Sequence, residues 1–279
     1  MNILGIDFEE WFHPQIVQKY LGDKKRDPSV INGIDKILDL LRTHETHATF
    51  FVVGELLEYR PELLDKILAD GHEIGFHTMH HTRLDVPGFR ELFVREIEDF
   101  AKLTDKRSRG FRAPTFSLNR QSSWVIDLLS ENNYVYDSSV MPAKTSMYGL
   151  PNAEMKPYKI SSSSIEKNDP NGKMLEFPLM TTRLLGKKIP AAGGFYLRAL
   201  PTKMISKAIK NYESAGIPAS FYIHSWELTP EFMPKISMPF KDSFITFHNI
   251  NKAFSRMKYL LKNFSFTSFD RYIQKTRLG

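Results

Sequence analysis

Two histidines four positions apart, in His77-Thr78-Met79-His80-His81, follow a short apolar run, Glu73-Ile74-Gly75-Phe76. On one helical turn that spacing aims two imidazole nitrogens at a common point, as a divalent cation requires. Asp7-Phe8-Glu9-Glu10 closes another apolar run near the N-terminus, and His224 ends a third, Ser220 to His224. Each group has an ordinary use taken singly. Acidic residues at a strand end face solvent or cap a turn, clustered histidines line a solvated loop, and a lone buried histidine satisfies itself in a core. At the same end of separate strands, they describe how a barrel enzyme gathers a catalytic metal. Side chains alternate along a strand, so Asp7 and Glu9 share one face while Phe8 and Glu10 take the other. Asp7 and Glu9 can then supply one ligand and one base. Arg109-Gly110-Phe111-Arg112-Ala113-Pro114 adds a cation at a fourth strand end. There it can hold a catalytic carboxylate by a charge-assisted pair. The alternative is a surface salt bridge worth under about 1 kcal/mol.

The elements that must carry these residues alternate between strand and helix. Strands are expected at Asn2 to Phe8, Ala48 to Val53, His72 to Phe76, around Gly110 to Arg112, Tyr134 to Tyr136, Met174 to Phe177, Ser220 to His224 and Ser265 to Ser268. Helices are expected from Asp27-Pro28-Ser29 through Leu41, at Pro61 to Asp70 with Gly71 as its stop, and at Phe89 to Leu103. Others fall through Trp124 to Leu129, at Lys203 to Ser214 and at Ile250 to Leu261. Between Pro142 and Asn171 the pattern lapses into Ser, Pro, Asn and Lys, a long surface excursion of the kind that is often functional. This alternation predicts a mostly parallel sheet or barrel, with the chemical residues on the C-terminal face of its strands.

Composition narrows the classes. The 279 residues fit one α/β barrel domain. Apolar residues at 42% and charged ones at 25% are those of a globular protein, and 21 Phe favour a substantial core and an apolar-walled cleft. Net charge is +6 and the pI near 9.2, which suits nucleic acid, anionic glycans or an anionic membrane face. No recognised nucleic-acid motif accompanies it, and only Lys24-Lys25-Arg26 form a short basic cluster, so nucleic acid is not expected as a partner. The absence of cysteine removes disulfides, thiolate catalysis and zinc-thiolate sites. No basic segment precedes a long apolar one at the N-terminus, and no run approaches the ~20 apolar residues of a membrane span. A cytoplasmic location is expected, with peripheral membrane contact left open.

With these residues in place, the chain resembles the polysaccharide deacetylase superfamily, the group that shares the NodB homology domain. The resemblance spans nearly the whole chain and its motifs occur in order. Asp7-Phe8-Glu9-Glu10-Trp11 stands for the first motif, His77 to His81 for the second, Arg112-Ala113-Pro114 for the third and Tyr222-Ile223-His224 for the last. Asp137-Ser138-Ser139, Ala192-Gly193-Gly194-Phe195-Tyr196-Leu197-Arg198 and His224-Ser225-Trp226-Glu227-Leu228 resemble elements of a subgroup tied to bacterial exopolysaccharide and exosortase systems. The resemblance implies a distorted (β/α) barrel of about seven strands over residues 1–279, with a subgroup-specific part from about residue 190. It also implies metal-dependent removal of an N-acetyl group from an amino sugar, in a polysaccharide or a lipid-linked precursor.

By the same resemblance Glu9, His77 and His81 bind a divalent metal, most readily zinc. Asp7 is the general base, Arg112 orients it, and His224 is the general acid. Thr115, Phe116, Asp137 and Trp226 are expected to touch substrate, with a backbone N–H near Thr115 assisting the oxyanion. Phe116 and Trp226 have core packing as an alternative use, and Asp137 turn capping. The ligand carboxylate here falls two residues after the base and is Glu rather than an adjacent Asp. If the metal cannot sit that much farther from the strand, Glu10 is the alternative ligand, against the alternation. Two further readings stay open: hydrolysis of a small linear or cyclic amide on the same fold, and glycan binding without turnover.

Overall fold

Seven short runs lie side by side and parallel in the computed structural model, which describes residues 1–22 and 26–278. In chain order the strands are β1 (Asn2–Phe8), β2 (Thr49–Val52), β3 (Glu73–Phe76), β4 (Gly110–Phe111), β5 (Tyr136–Asp137), β6 (Tyr158–Ile160), β7 (Met174–Glu176), β8 (Thr181–Leu184), β9 (Lys187–Pro190), β10 (Ser220–His224) and β11 (Phe266–Thr267). The main sheet runs β10-β1-β2-β3-β4-β5-β7-β6, with β11 beside β1 and β6 alone antiparallel. A bridge from Leu179, just past β7, to Ser220 on β10 joins the two sides of the curl. The molecule is thus the single-domain α/β distorted barrel expected, with seven parallel strands on its main path. Strands β8 and β9 form a separate hairpin.

Alternation along the strands separates two apolar layers. Leu4, Ile6, Phe8, Phe50, Val52, Ile74, Phe76 and Phe111 face outward against the helices, in one cluster with Ile37, Leu41, Ile67, Phe93 and Phe100. Inward-facing Ile3, Phe51 and Tyr136 meet Phe177 and, from the helix Phe269–Thr276, Phe269, Tyr272 and Ile273. That last helix plugs the N-terminal end of the barrel. The C-terminal end is left for polar residues.

Most elements stand within a residue or two of expectation, and Phe89–Leu103 is helical as read. Three differ. The Tyr134 N–H is used by the Leu129 carbonyl at the end of the helix Trp124–Glu131, so β5 begins two residues late. The segment after Ser29 starts as a 3-10 turn, Val30–Gly33, before the helix Ile34–Thr43. Ile250–Lys252 is likewise a 3-10 lead into the helix Ala253–Asn263. The excursion at 142–171 contains β6, which pairs with β7. Lys24 and Lys25 of the basic cluster lie outside the described residues. No helix among the described residues is long and apolar enough to cross a membrane.

Candidate active site

Asp7 is the last inward-facing residue of β1, beside His224 on β10 in the parallel register. Its Oδ1 accepts a 2.6 Å bond from Arg112 Nη1, and both side chains are buried. The surface salt bridge considered for Arg112 is therefore excluded. Arg112 also donates to the Ser138 carbonyl and hydroxyl, and its guanidinium lies 4.1 Å from the centroid of the Phe51 ring. Gly5 makes room for it: a Cβ there would stand 2.6 Å from Arg112 Nη1. Asp7 Oδ1 is thus committed to Arg112, and Oδ2 is turned toward His224 Nε2, 4.0 Å away.

Glu9, His77 and His81 converge next to Asp7, each offering a buried ligand atom within 4.8 Å of the others. The two histidines do not share a helical turn. Thr78 and His81 take left-handed backbone angles (φ 60° and 55°), and the carbonyls of Thr78 and Met79 bond to the amides of Gly54 and Glu55. A loop anchored across to the neighbouring chain segment, not a helix, sets the pair. His77 Nδ1–H donates to the Arg112 carbonyl at 2.7 Å, which leaves Nε2 as a free acceptor. Burial drives the His77 pKa down to about 4, so the ring is neutral, the form that binds metal. His81 Nε2 stands 2.7 Å from Glu9 Oε2, yet that oxygen has no hydrogen-bond partner. Burial works against charge on Glu9, but the imidazoles of His81, His224 and His77 hold its carboxyl well below the usual range. Orphaned buried acceptors around one point fit a cation.

Glu9 itself is fixed on its other side. Trp226 Nε1–H donates to Glu9 Oε1 at 2.9 Å, and Ser225 bonds both the amide and the carbonyl of Glu9. Glu10 points away, as alternation requires, and accepts from the amides of Val30, Ile31 and Trp11. It is spent on the start of the next element and is absent from the cation group. His13 stacks on His81, with ring centroids 5.7 Å apart, and is itself held by Glu55 at 2.6 Å.

A second arginine-held carboxylate sits across the pocket. His224 Nδ1 bonds Glu227 Oε2 at 2.7 Å, and Arg198 Nε donates to Glu227 Oε1 at 2.8 Å. Burial opposes charge on His224, but Glu227, with Glu9 and Asp7 nearby, raises its pKa to about 9. Burial likewise works against charge on Glu227, and Arg198 and His224 bring its pKa below the ordinary value. Gly194 admits this carboxylate, since a Cβ there would overlap it at 1.4 Å. Arg198 reaches on to the carbonyls of Ile245 and His248, at the end of the helix Phe240–Phe247. The sequence alone assigns no role to Glu227 or Arg198. The available signal was a glutamate three residues after a candidate acid, where one turn of helix brings the two together.

These groups floor a cavity of about 330 Å³ walled by Phe116, Tyr148, Phe195, Tyr196, Tyr222 and Trp226. Thr115 also lines it, in a left-handed turn (φ 53°), while the Phe116 amide is taken by the Ala113 carbonyl. Trp226 presents its ring face to His224, stacked at 5.0 Å, so it braces the site as well as bounding the cavity. Asp137 does not line the cavity. It is completely buried and accepts a bond from the Ser139 hydroxyl, and burial pushes its carboxyl and that of Glu176 up. Its expected substrate contact is corrected: Asp137 lies one layer below, where the Ser138 groups hold Arg112.

Residues 28–134 match the family model Polysaccharide deacetylase, and residues 138–274 match Domain of unknown function (DUF3473). Among curated proteins, the chain is similar to the peptidoglycan-N-acetylmuramic acid deacetylase PdaC of Bacillus subtilis. Identity is 33% over 112 residues, 40% of this chain and 23% of that protein. It is also similar to a chitooligosaccharide deacetylase of Sinorhizobium fredii, 42% identical over 63 residues, 23% of this chain and 29% of that protein. The chain thus spans about a quarter of the length of these relatives. A Mycobacterium smegmatis crystal structure named as a polysaccharide deacetylase shares the fold, with a TM-score of 0.61, 15% identity and coverage of 99% of this chain and 91% of that one.

Proposed function

We infer that this chain, which carries a polysaccharide deacetylase region continued by a DUF3473 region, is a metal-dependent hydrolase that removes N-acetyl groups from an amino sugar. The sugar is part of a polysaccharide or of its precursor. One observation carries the reading: a cation-ready group, an arginine-held aspartate and a carboxylate-held histidine open on a single aromatic-walled cavity.

Glu9, His77 and His81 would hold the ion, and two nitrogens with one carboxylate oxygen suit zinc. When bound, such an ion supplies Lewis acidity, which makes water a nucleophile near neutral pH and polarises an amide carbonyl. Asp7 acts as general base. Its Oδ1 is tied to Arg112, so Oδ2 takes the proton from the attacking water. As the C–N bond breaks, the amine leaves poorly unless protonated. His224 donates from Nε2, because Glu227 fixes the other ring nitrogen and favours the charged ring. Acetate and a free amino sugar are the products. The aromatic walls give the sugar apolar faces to lie against, and polar side chains between them, among them Gln15, Thr115, Thr145 and Ser146, can bond its hydroxyls.

Acetate release from N-acetylated oligosaccharides by zinc-loaded protein tests the proposal. Turnover is the expected result. A folded, metallated protein that releases no acetate from any N-acetylated glycan overturns it, and the panel should include small amides to separate the second enzymatic reading.

A further inference from the structure

We propose that the chain docks on an anionic lipid surface through the outer face of the helix Phe240–Phe247, beside the active-site cavity. Phe240 is 85% exposed and Phe244 is 42% exposed. They are four residues apart, hence on one face, and their ring centroids lie 6.3 Å apart. Phe244 in turn contacts Phe195 at 6.4 Å, and Phe195 lines the cavity. The same helix gives Ile245 and Thr246 to the cavity wall. An aromatic track therefore runs from the cavity to bulk solvent.

The helix is held firmly enough to present that face. Arg198 bonds its last carbonyls, and Tyr20 Oη–H donates to Asp242 at 2.6 Å. The two rings form one exposed apolar patch beside the cavity. Three occupants compete for it. Two phenyl side chains of roughly 200 Å² each, at these exposures, offer less than about 300 Å², against about 800 Å² per partner in a stable protein interface. A second copy of the chain is therefore poorly matched. A glycan would need hydrogen-bonding groups along the track, and phenyl rings have none. A lipid surface needs only apolar insertion with cations alongside. Lys241 adjoins Phe240, Lys235 is exposed just upstream, and the chain carries a net charge of +6. On the deacetylase reading, the docked cavity takes the sugar of a lipid-linked substrate while its apolar chain follows the track. The docking itself does not depend on that reading.

Co-sedimentation with vesicles of equal parts phosphatidylglycerol and phosphatidylcholine, and of phosphatidylcholine alone, tests it. The expected result is binding to the mixed vesicles that drops more than about tenfold in Phe240→Ser/Phe244→Ser. Lys235→Gln and Lys241→Gln each weaken it by about fivefold, on anionic vesicles only. A Phe240→Trp protein reports independently, by quenching of its added emission with brominated lipid. No binding to the mixed vesicles, or binding indifferent to both sets of substitutions, overturns the proposal. So does a dimer that the serine pair dissociates, or a loss confined to long soluble glycans. Vesicle binding without acetate release upholds docking and sinks the chemistry; acetate release without binding does the reverse.

Discussion

The cavity has two arginine-held carboxylates, and they are built differently. On one side Arg112 grips Asp7 directly, at 2.6 Å, and the carboxylate faces the cavity. On the other, Arg198 grips Glu227, which grips His224, and the imidazole is the group that faces the cavity. On the proposed reaction the first side serves as the proton acceptor, with one oxygen fixed by the arginine and the other available. The second serves as the donor, with the carboxylate placed behind the ring to sustain its charge. The two sides also come from different stretches: Arg112 lies in the polysaccharide deacetylase match, and His224, Glu227 and Arg198 lie in the DUF3473 match. Neither match alone contains the whole site, since Asp7 and Glu9 precede both.

Asp7→Asn is the sharpest way to break the comparison. It should lower turnover by about 10²–10⁴-fold, read as acetate release, while metal stays bound. Next come the arginines. Arg112→Met and Arg198→Met each leave a buried carboxylate without its partner, and urea unfolding should show a loss of about 3–5 kcal/mol for each. If only one is destabilised, the two sides are not equivalent in burial energetics. Glu227→Gln acts through His224 and should reduce amide turnover by about 10–100-fold, with a much smaller change for an activated acetate ester whose leaving group needs no proton. Equal losses on both substrates contradict the acid role. Gly5→Ala and Gly194→Ala should each cost about 1–3 kcal/mol by pressing a Cβ on the guanidinium and on the Glu227 carboxylate respectively. Thermal unfolding measures both.

An effect of similar size is expected on pH dependence in chelator-treated protein. The folded pKa of His224, about 9, exceeds the ordinary 6.5, so the folded state binds this proton more tightly. Its contribution is complete below about 6.5 and disappears as pH rises through about 9. Denaturant titrations across that window should show stability falling with pH, and Glu227→Gln should flatten the slope. A slope that survives the substitution assigns it elsewhere.

How far the site was legible follows from the same contrast. Asp7, Glu9, His77, His81, Arg112 and His224 stand at strand ends, where alternation and spacing expose them to inspection. The parallel strands of the main sheet could be read from β-branched and aromatic runs bounded by turns, because they are buried on both faces, whereas β6, β8 and β9, which carry exposed residues, could not. The histidine loop could not be read, since its left-handed Thr78 and His81 depend on carbonyls bonded to Gly54 and Glu55, distant in sequence. Arg198 and Glu227 meet only after folding, 29 residues apart, through the space that Gly194 leaves. Asp137 misleads because an acid next to serines reads the same whether it faces a cavity or is buried beneath one.

Metal stoichiometry, measured by mass spectrometry on protein dialysed against zinc, bears most directly on the central claim. One ion per chain is predicted in the wild type, lost in His77→Ala and retained in Glu10→Gln. A folded wild type that holds no ion, or a His77→Ala protein that keeps it, contradicts the convergence of Glu9, His77 and His81 on a single cation.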